Sequence, residues 1–168
     1  VLAEPRPASA GGAEEDAVSV ATAGEAGVTQ ALRQLVAHLA PPSYVGVQAF
    51  IAPDASRDAA IARLRGAIVD HSHCATTAGY GPRFLHSTGQ LHKGGPATGV
   101  FLQLTADHPI DRPIPGWPYT FGRLIDAQAR GDREALRAHG RRVVHLHLGP
   151  ELDADLETVE RALLQALR

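Results

Sequence analysis

Lys93 is the sole lysine of the chain, set against fifteen arginines, and it lies in the stretch richest in reactive residue types. Gly79 to Gly99 reads GYGPRFLHSTGQLHKGGPATG, with six glycines, two prolines, two histidines and a Ser-Thr pair. A compact ammonium on a flexible stem differs from a permanently charged planar fork, so a lysine kept where arginine is the rule suggests a place where arginine will not serve. Ser87 and Thr88 offer hydroxyls. Gly94 and Gly95 let backbone N–H groups turn towards an anion. His86 and His92 can each exchange a proton near neutral pH. These groups describe part of a site for a phosphorylated ligand, with imidazoles placed to move a proton at hydroxyl or carbonyl oxygens. The same residue types also suit a rigid loop whose polar groups satisfy their own backbone, and residue type alone leaves both readings open.

Other chemistries fit less well. Lys93 is followed by Gly94 rather than Ser or Thr, so the stretch is not a Walker loop, and no GxGxxG follows a strand. Ser87 stands beside His86, but adjacent residues seldom point at each other, and G-x-S-x-G is missing. His71, His73 and Cys74 are bunched without the second ligand pair that zinc usually needs. His145 and His147 share a strand face by the period of two and read as ordinary sheet-face residues. No metal and no cofactor is expected.

The elements that must position the stretch follow from the hydrophobic pattern. The first 27 residues, rich in Ala, Gly, Glu, Pro and Ser, read as a flexible linker or tail, with a weak edge strand at Val18 to Val20. Residues 28–168 read as one domain. Leu32, Leu35, Val36 and Leu39 form a helical stripe over 28–40, with Thr29 as N-cap and Pro41 as stop. YVGVQAFI over 44–51 is apolar on both faces, as a covered parallel strand should be. Ser56 is placed to cap a helix to about Asp70, in which Ile61, Leu64 and Ile68 recur. The glycine-rich stretch itself reads as mostly loop. VFLQL over 100–104 and RVVHLHL over 142–148 are further strands. Between them lie an irregular connection with four prolines and Trp117, then a helix capped by Thr120 that Gly131 interrupts. A last helix starts near Asp153. Helices alternating with doubly buried strands predict an α/β domain, a three-layer αβα sandwich with a mostly parallel sheet.

Composition excludes some classes. A net charge of −2 argues against a general nucleic-acid or anionic-membrane binder. No apolar run is long enough for a bilayer, and no signal peptide is seen, so membrane partners are not expected. The single Cys74 precludes an internal disulfide and fits a reducing, cytoplasmic compartment. A chain that opens on Val and contains no Met reads as a piece of a longer one.

The block GYGPRFLHSTGQLHKGGPATGVFLQLT, with YTFGRLIDAQARGD at 119–132, resembles the C-terminal half of phosphosugar isomerases. In particular it is similar to the glucose-6-phosphate isomerases found in fused transaldolase/glucose-6-phosphate isomerase proteins. The resemblance runs from about Tyr44 to Leu148. It implies a flavodoxin-like sugar isomerase (SIS) domain. It also implies metal-free interconversion of glucose 6-phosphate and fructose 6-phosphate, through ring opening and an enediol. The full enzyme uses two such domains, and the carboxylate base and main phosphate loop lie in the earlier one. The partners implied are therefore a sugar phosphate and the missing N-terminal SIS domain, with a homo-oligomer also compatible.

Two departures shift the expected roles. The general isomerase family has Gly-Thr-Asn-Gly-Gln-His before its Phe-Tyr-Gln-Leu strand. Here Ala97 to Gly99 precede the matching FLQL at 101–104 without that histidine. The family's Asp-Gln-x-Gly-Val-Glu signature and the lysine after it are absent, and Gln128 stands on the corresponding helix. The expectation is that Lys93 offsets phosphate or enediolate charge and that His86 or His92 transfers a proton. Ser87, Thr88, Gln90, Gly94 and Gly95 would contact substrate. A non-catalytic sugar-phosphate sensor and a dimerisation domain are the alternatives.

Overall fold

The computed structural model describes residues 17–85 and 87–168, the side chain of Leu85 excepted. Five strands alternate with five helices. They are β1 (Val18–Ser19), α1 (Val20–Val36), β2 (Tyr44–Phe50), α2 (Ala55–Ser72), β3 (Ala75–Tyr80), α3 (Ser87–Gly94), β4 (Gly99–Ala106), α4 (Phe121–Ala138), β5 (Arg142–Leu148) and α5 (Leu152–Ala166). A short 3-10 helix, Arg83–Leu85, precedes α3. The strands form one sheet in the order β1-β5-β4-β2-β3, and every pairing is parallel. Helices cover both faces, so the expected three-layer αβα sandwich is the fold.

The central strands β2 and β4 are buried on both faces, as their unbroken apolar runs require. Val47 pairs with Leu102 and Leu104 with Leu146 in register. On one face these side chains meet Leu32 and Leu35 of α1, Leu64 and Ile68 of α2, and Leu156 and Leu163 of α5, forming a single apolar cluster. The chain moves one way across the sheet from β2 to β3 and the other way from β3 to β4 and β5. Right-handed crossovers then send α3 and α4 to the opposite face.

Several boundaries differ from expectation. Residues 1–16 of the expected tail lie outside the described residues, and its remainder contains β1 and the first turns of α1. Val18 pairs with Leu146 on β5, and Val20 and Val28 are buried in the core. Gly24, at φ 59°, breaks the helical path after one turn, in a conformation that side chains resist. That break hides the helix start in a tail-like composition. Thr29 is therefore inside the helix, and its hydroxyl bonds the Glu25 carbonyl at 2.7 Å. Glu25 is held in turn by Arg161 at 2.9 Å and by Gln165 on α5. The N-cap of α2 is Asp54, which accepts from the Arg57 N–H at 2.9 Å, while the Ser56 hydroxyl bonds Asp54. Thr120 caps α4 as expected, but Gly131 does not interrupt it. One glycine in a helix costs only about 1 kcal/mol relative to alanine, and its neighbours Ala129, Asp132 and Arg133 are anchored inward.

Two elements were not foreseen. β3, ATTAGY, is an edge strand half open to solvent and lacks an apolar run. On it, Arg65 of α2 donates to the Thr76 hydroxyl at 3.1 Å and to the Thr76 carbonyl at 3.2 Å. α3 occupies Ser87–Gly94, the middle of the expected loop. Gly89 is required there, because a Cβ at that position would lie 1.4 Å from the Phe84 carbonyl oxygen. The glycine that looked like a helix breaker lets this helix pack. No helix among the described residues is long and apolar enough to cross a membrane.

Candidate functional site

The α3 and α4 face of the sheet is built from polar residues. Gln48 and Gln103 are in-register neighbours on β2 and β4, both fully buried. Gln48 Nε2 donates to one Asp132 oxygen at 2.6 Å, and Gln103 Nε2 donates to the Ala129 carbonyl at 3.0 Å. Arg133 Nη1 donates to Gln103 Oε1 at 2.6 Å. The Lys93 ammonium forms an ion pair with the other Asp132 oxygen and reaches the Phe84 carbonyl at 3.4 Å. Lys93 therefore joins α3 to α4, with its charge engaged by a buried carboxylate. A single ammonium on a thin stem can reach both acceptors at this tight crossing, which a planar guanidinium would fill.

α3 sends the expected site residues in different directions. Ser87, Thr88 and Gln90 are exposed, while Gly89 and His92 turn inward. His92 is 1% exposed and sits among Phe101, Tyr44 and Phe84, with ring centroids 4.9, 6.0 and 6.0 Å away. Neither of its ring nitrogens has a hydrogen-bond partner among the described residues. Burial lowers its pKa, Asp132 opposes that, and Lys93 adds to it. A neutral imidazole enclosed by aromatic rings is not placed to exchange protons with a ligand in the open cleft. His86 lies outside the described residues.

Gly94 and Gly95 correct a second expectation. They stand at the C-terminal end of α3, where the backbone presents carbonyls rather than N–H groups. Buried Arg141 takes those carbonyls, donating to His92 at 3.0 Å, Lys93 at 3.1 Å and Gly95 at 2.6 Å. This end of the helix holds a cation, and it offers an anion no cradle of backbone N–H groups.

Concave space lies elsewhere, at the carboxyl edge of the sheet. β2 and β4 are adjacent, yet the chain leaves them in opposite directions, so a crevice opens beyond their C-terminal ends. The cleft has a volume of about 850 Å³, and its lining includes Ala52, Asp107, His108, Asp111, Arg112 and Gln128. Of the described residues of the glycine-rich stretch, Gly81 and Pro82 line it. His108 Nε2 lies 2.9 Å from Asp126 Oδ1. Asp111 accepts from the Gly122 N–H at 2.8 Å. The Thr120 hydroxyl and that N–H hold its carboxyl below the usual range. Asp111 thereby ties the proline-rich connection to the start of α4, and a Cβ on Gly122 would come within 2.8 Å of both Asp111 and His108. Arg57 is committed to Asp54 at 3.2 Å and Asp153 at 3.3 Å. Arg112 is exposed and makes no ion pair among the described residues.

Asp107, His108, Asp111 and Arg112 were missed by sequence reasoning, which passed over this segment as an irregular connection. The available signal was position: Asp107 and His108 directly follow the most apolar strand, where ligands gather in such sheets. His145 and His147 do share a face, and both contact the Thr105 hydroxyl, at 2.8 and 2.9 Å.

No family model matches the chain, and no curated protein does. Among solved structures, a hypothetical protein from Thermus thermophilus superposes with a TM-score of 0.65 at 16% identity, over 88% of this chain. This chain spans 39% of that one. At such identity the likeness is one of fold.

Proposed function

We propose that the chain is the second sugar-isomerase domain of a glucose-6-phosphate isomerase, and that its share of the site is the carboxyl-edge cleft rather than α3. The observation that carries this reading is that His108, held by Asp126, lines one cleft at the switch point together with Gln128 and Arg112, a guanidinium with no ion pair among the described residues. Arg112 meets the phosphate, for which its planar fork is suited. His108, oriented by Asp126, transfers the proton in ring opening, and Gln128 holds substrate hydroxyls. Lys93 and His92 hold α3 against α4 and the sheet, apart from the cleft. The carboxylate base that moves the C1/C2 proton comes from the other domain, so these 168 residues alone are inactive.

The test is fructose 6-phosphate turnover by the full-length protein. His108→Ala is expected to lower kcat/KM by about 100-fold, the usual scale for a positioned acid–base group. Arg112→Ala is expected to raise KM. Binding of fructose 6-phosphate without turnover would replace this reading with a sugar-phosphate sensor, and unchanged kinetics in His108→Ala would remove the cleft from the site.

A further inference from the structure

Beside the cleft lies a second polar chain that the proposed reaction leaves unused. Thr105, near the end of β4, is buried at 5% exposure between two histidines of β5. Its Oγ1 is 2.8 Å from His145 Nε2 and 2.9 Å from His147 Nδ1. His147 Nε2 is 3.1 Å from Asp107 Oδ1, and Asp107 is half exposed on the cleft wall. Four side chains thus run in line from a buried imidazole to a carboxylate facing the cleft.

The donors fix the direction of this chain. A carboxylate only accepts, so a neutral His147 presents Nε2–H to Asp107 and a bare Nδ1 to Thr105. The Thr105 hydroxyl has one proton and gives it to that nitrogen. Its oxygen then accepts from His145 Nε2–H. With His147 neutral, this arrangement satisfies each of these contacts, with all donors pointing towards the cleft.

We propose that this chain makes Asp107 a second proton-transfer site, acting on a hydroxyl or carbonyl of a polyhydroxylated phosphate ester in the cleft. Asp107 is the group that touches substrate, whereas His147 and Thr105 are positioning residues. The step is a proton transfer alone. The substrate O–H bond breaks, the proton moves to the Asp107 oxygen not held by His147, and the electron pair stays on the substrate oxygen. The reverse transfer restores the carboxylate. His147 keeps the carboxylate aimed and stabilises its charge, as the orienting partner of a base does in other enzymes. Thr105 holds His147 in the tautomer that can do so. The inference rests on the proposed function for its substrate class, but the hydrogen-bond order stands without it.

Two measurements on the full-length protein separate the two. Nitrogen-15 spectra of the unliganded protein should show His147 as the Nε2–H tautomer with a bare Nδ1, and His145 with Nε2–H. In Thr105→Val both patterns should change, and Thr105→Ser should restore them. In fructose 6-phosphate turnover, Asp107→Asn should lower kcat by about 100-fold with little change in KM. Thr105→Val should lower kcat by about tenfold, with rescue by Thr105→Ser. Nδ1–H on His147, or an Asp107→Asn rate within twofold of the parent, overturns the proposal. The expected tautomers in a protein that does not turn over fructose 6-phosphate would uphold the proton chain and overturn the isomerase reading.

Discussion

The two faces of the sheet are held by different physics. Towards α1, α2 and α5, the strands meet the helices through a continuous apolar cluster of Val, Leu, Ile and Ala. Towards α3 and α4, buried apolar packing shrinks to a small cluster around Phe50, Phe84 and Ala129, and Gln48, Gln103, Asp132, Arg133 and Lys93 take over. Apolar burial is non-directional and tolerates repacking. A hydrogen-bonded network accepts one arrangement, and an unmade bond inside it is costly. The first face supplies stability. The second fixes where α4 sits, and α4 carries Gln128 to the cleft and Asp126 to His108.

The contrast can be broken most forcefully on the apolar face. Leu102 is fully buried, so Leu102→Ala should cost about 2–5 kcal/mol in urea unfolding through lost burial and the cavity left. A loss below about 1 kcal/mol would deny that this face carries the stability. A smaller effect is expected from Asp132→Asn, which leaves the Lys93 charge without its partner. Breaking a buried pair costs about 3–5 kcal/mol. The Lys93 side chain is one-fifth exposed and can reach water, which reduces the expected loss to about 2 kcal/mol. The sharper measurement is the double variant Lys93→Met with Asp132→Asn. It should recover to within about 1 kcal/mol of the parent, because buried ion pairs contribute position more than stability. If the double variant stays as weak as Asp132→Asn alone, the network is a net source of stability.

The smallest effect is in pH dependence. Burial lowers the pKa of His92 in the folded protein. The unfolded chain binds a proton at this residue below about pH 6.5, and the folded protein binds it only at lower pH. Unfolding therefore takes up a proton in that window, and stability falls as pH drops below about 6.5, by at most about 1.4 kcal/mol per pH unit. His92→Leu should remove this part of the acid sensitivity. An equal slope in both proteins would show that His92 does not contribute it.

The fold was legible because β2 and β4 are nearly apolar on both faces, β5 is a further run rich in Val and Leu, and helical stripes separate them. β3 escaped because an edge strand needs no such run. α3 escaped because Gly89 and Gly94 have opposite meanings by context. Gly89 serves a close backbone approach, and Gly94 ends the helix. The isolation of Lys93 was a true signal, but of a buried crossing between helices, since charge engaged by Asp132 looks the same in sequence as charge awaiting a ligand. The cleft residues lie in a proline-rich segment with no periodicity. Only the strand order, which brings β2 beside β4, makes Asp107 and His108 neighbours of Ala52 and Pro53.

The hold of Arg65 of α2 on the outer strand β3 has a consequence for life in a crowded solution. A parallel sheet open at β3 offers its backbone to any other extended chain. By occupying the Thr76 carbonyl and hydroxyl, Arg65 removes an acceptor such a chain would need and adds a charge at the approach. The opposite border is β1, only two residues long, too short to template growth. One border is guarded by a side chain and the other by brevity, and both features disfavour adding a strand to the five of the described residues.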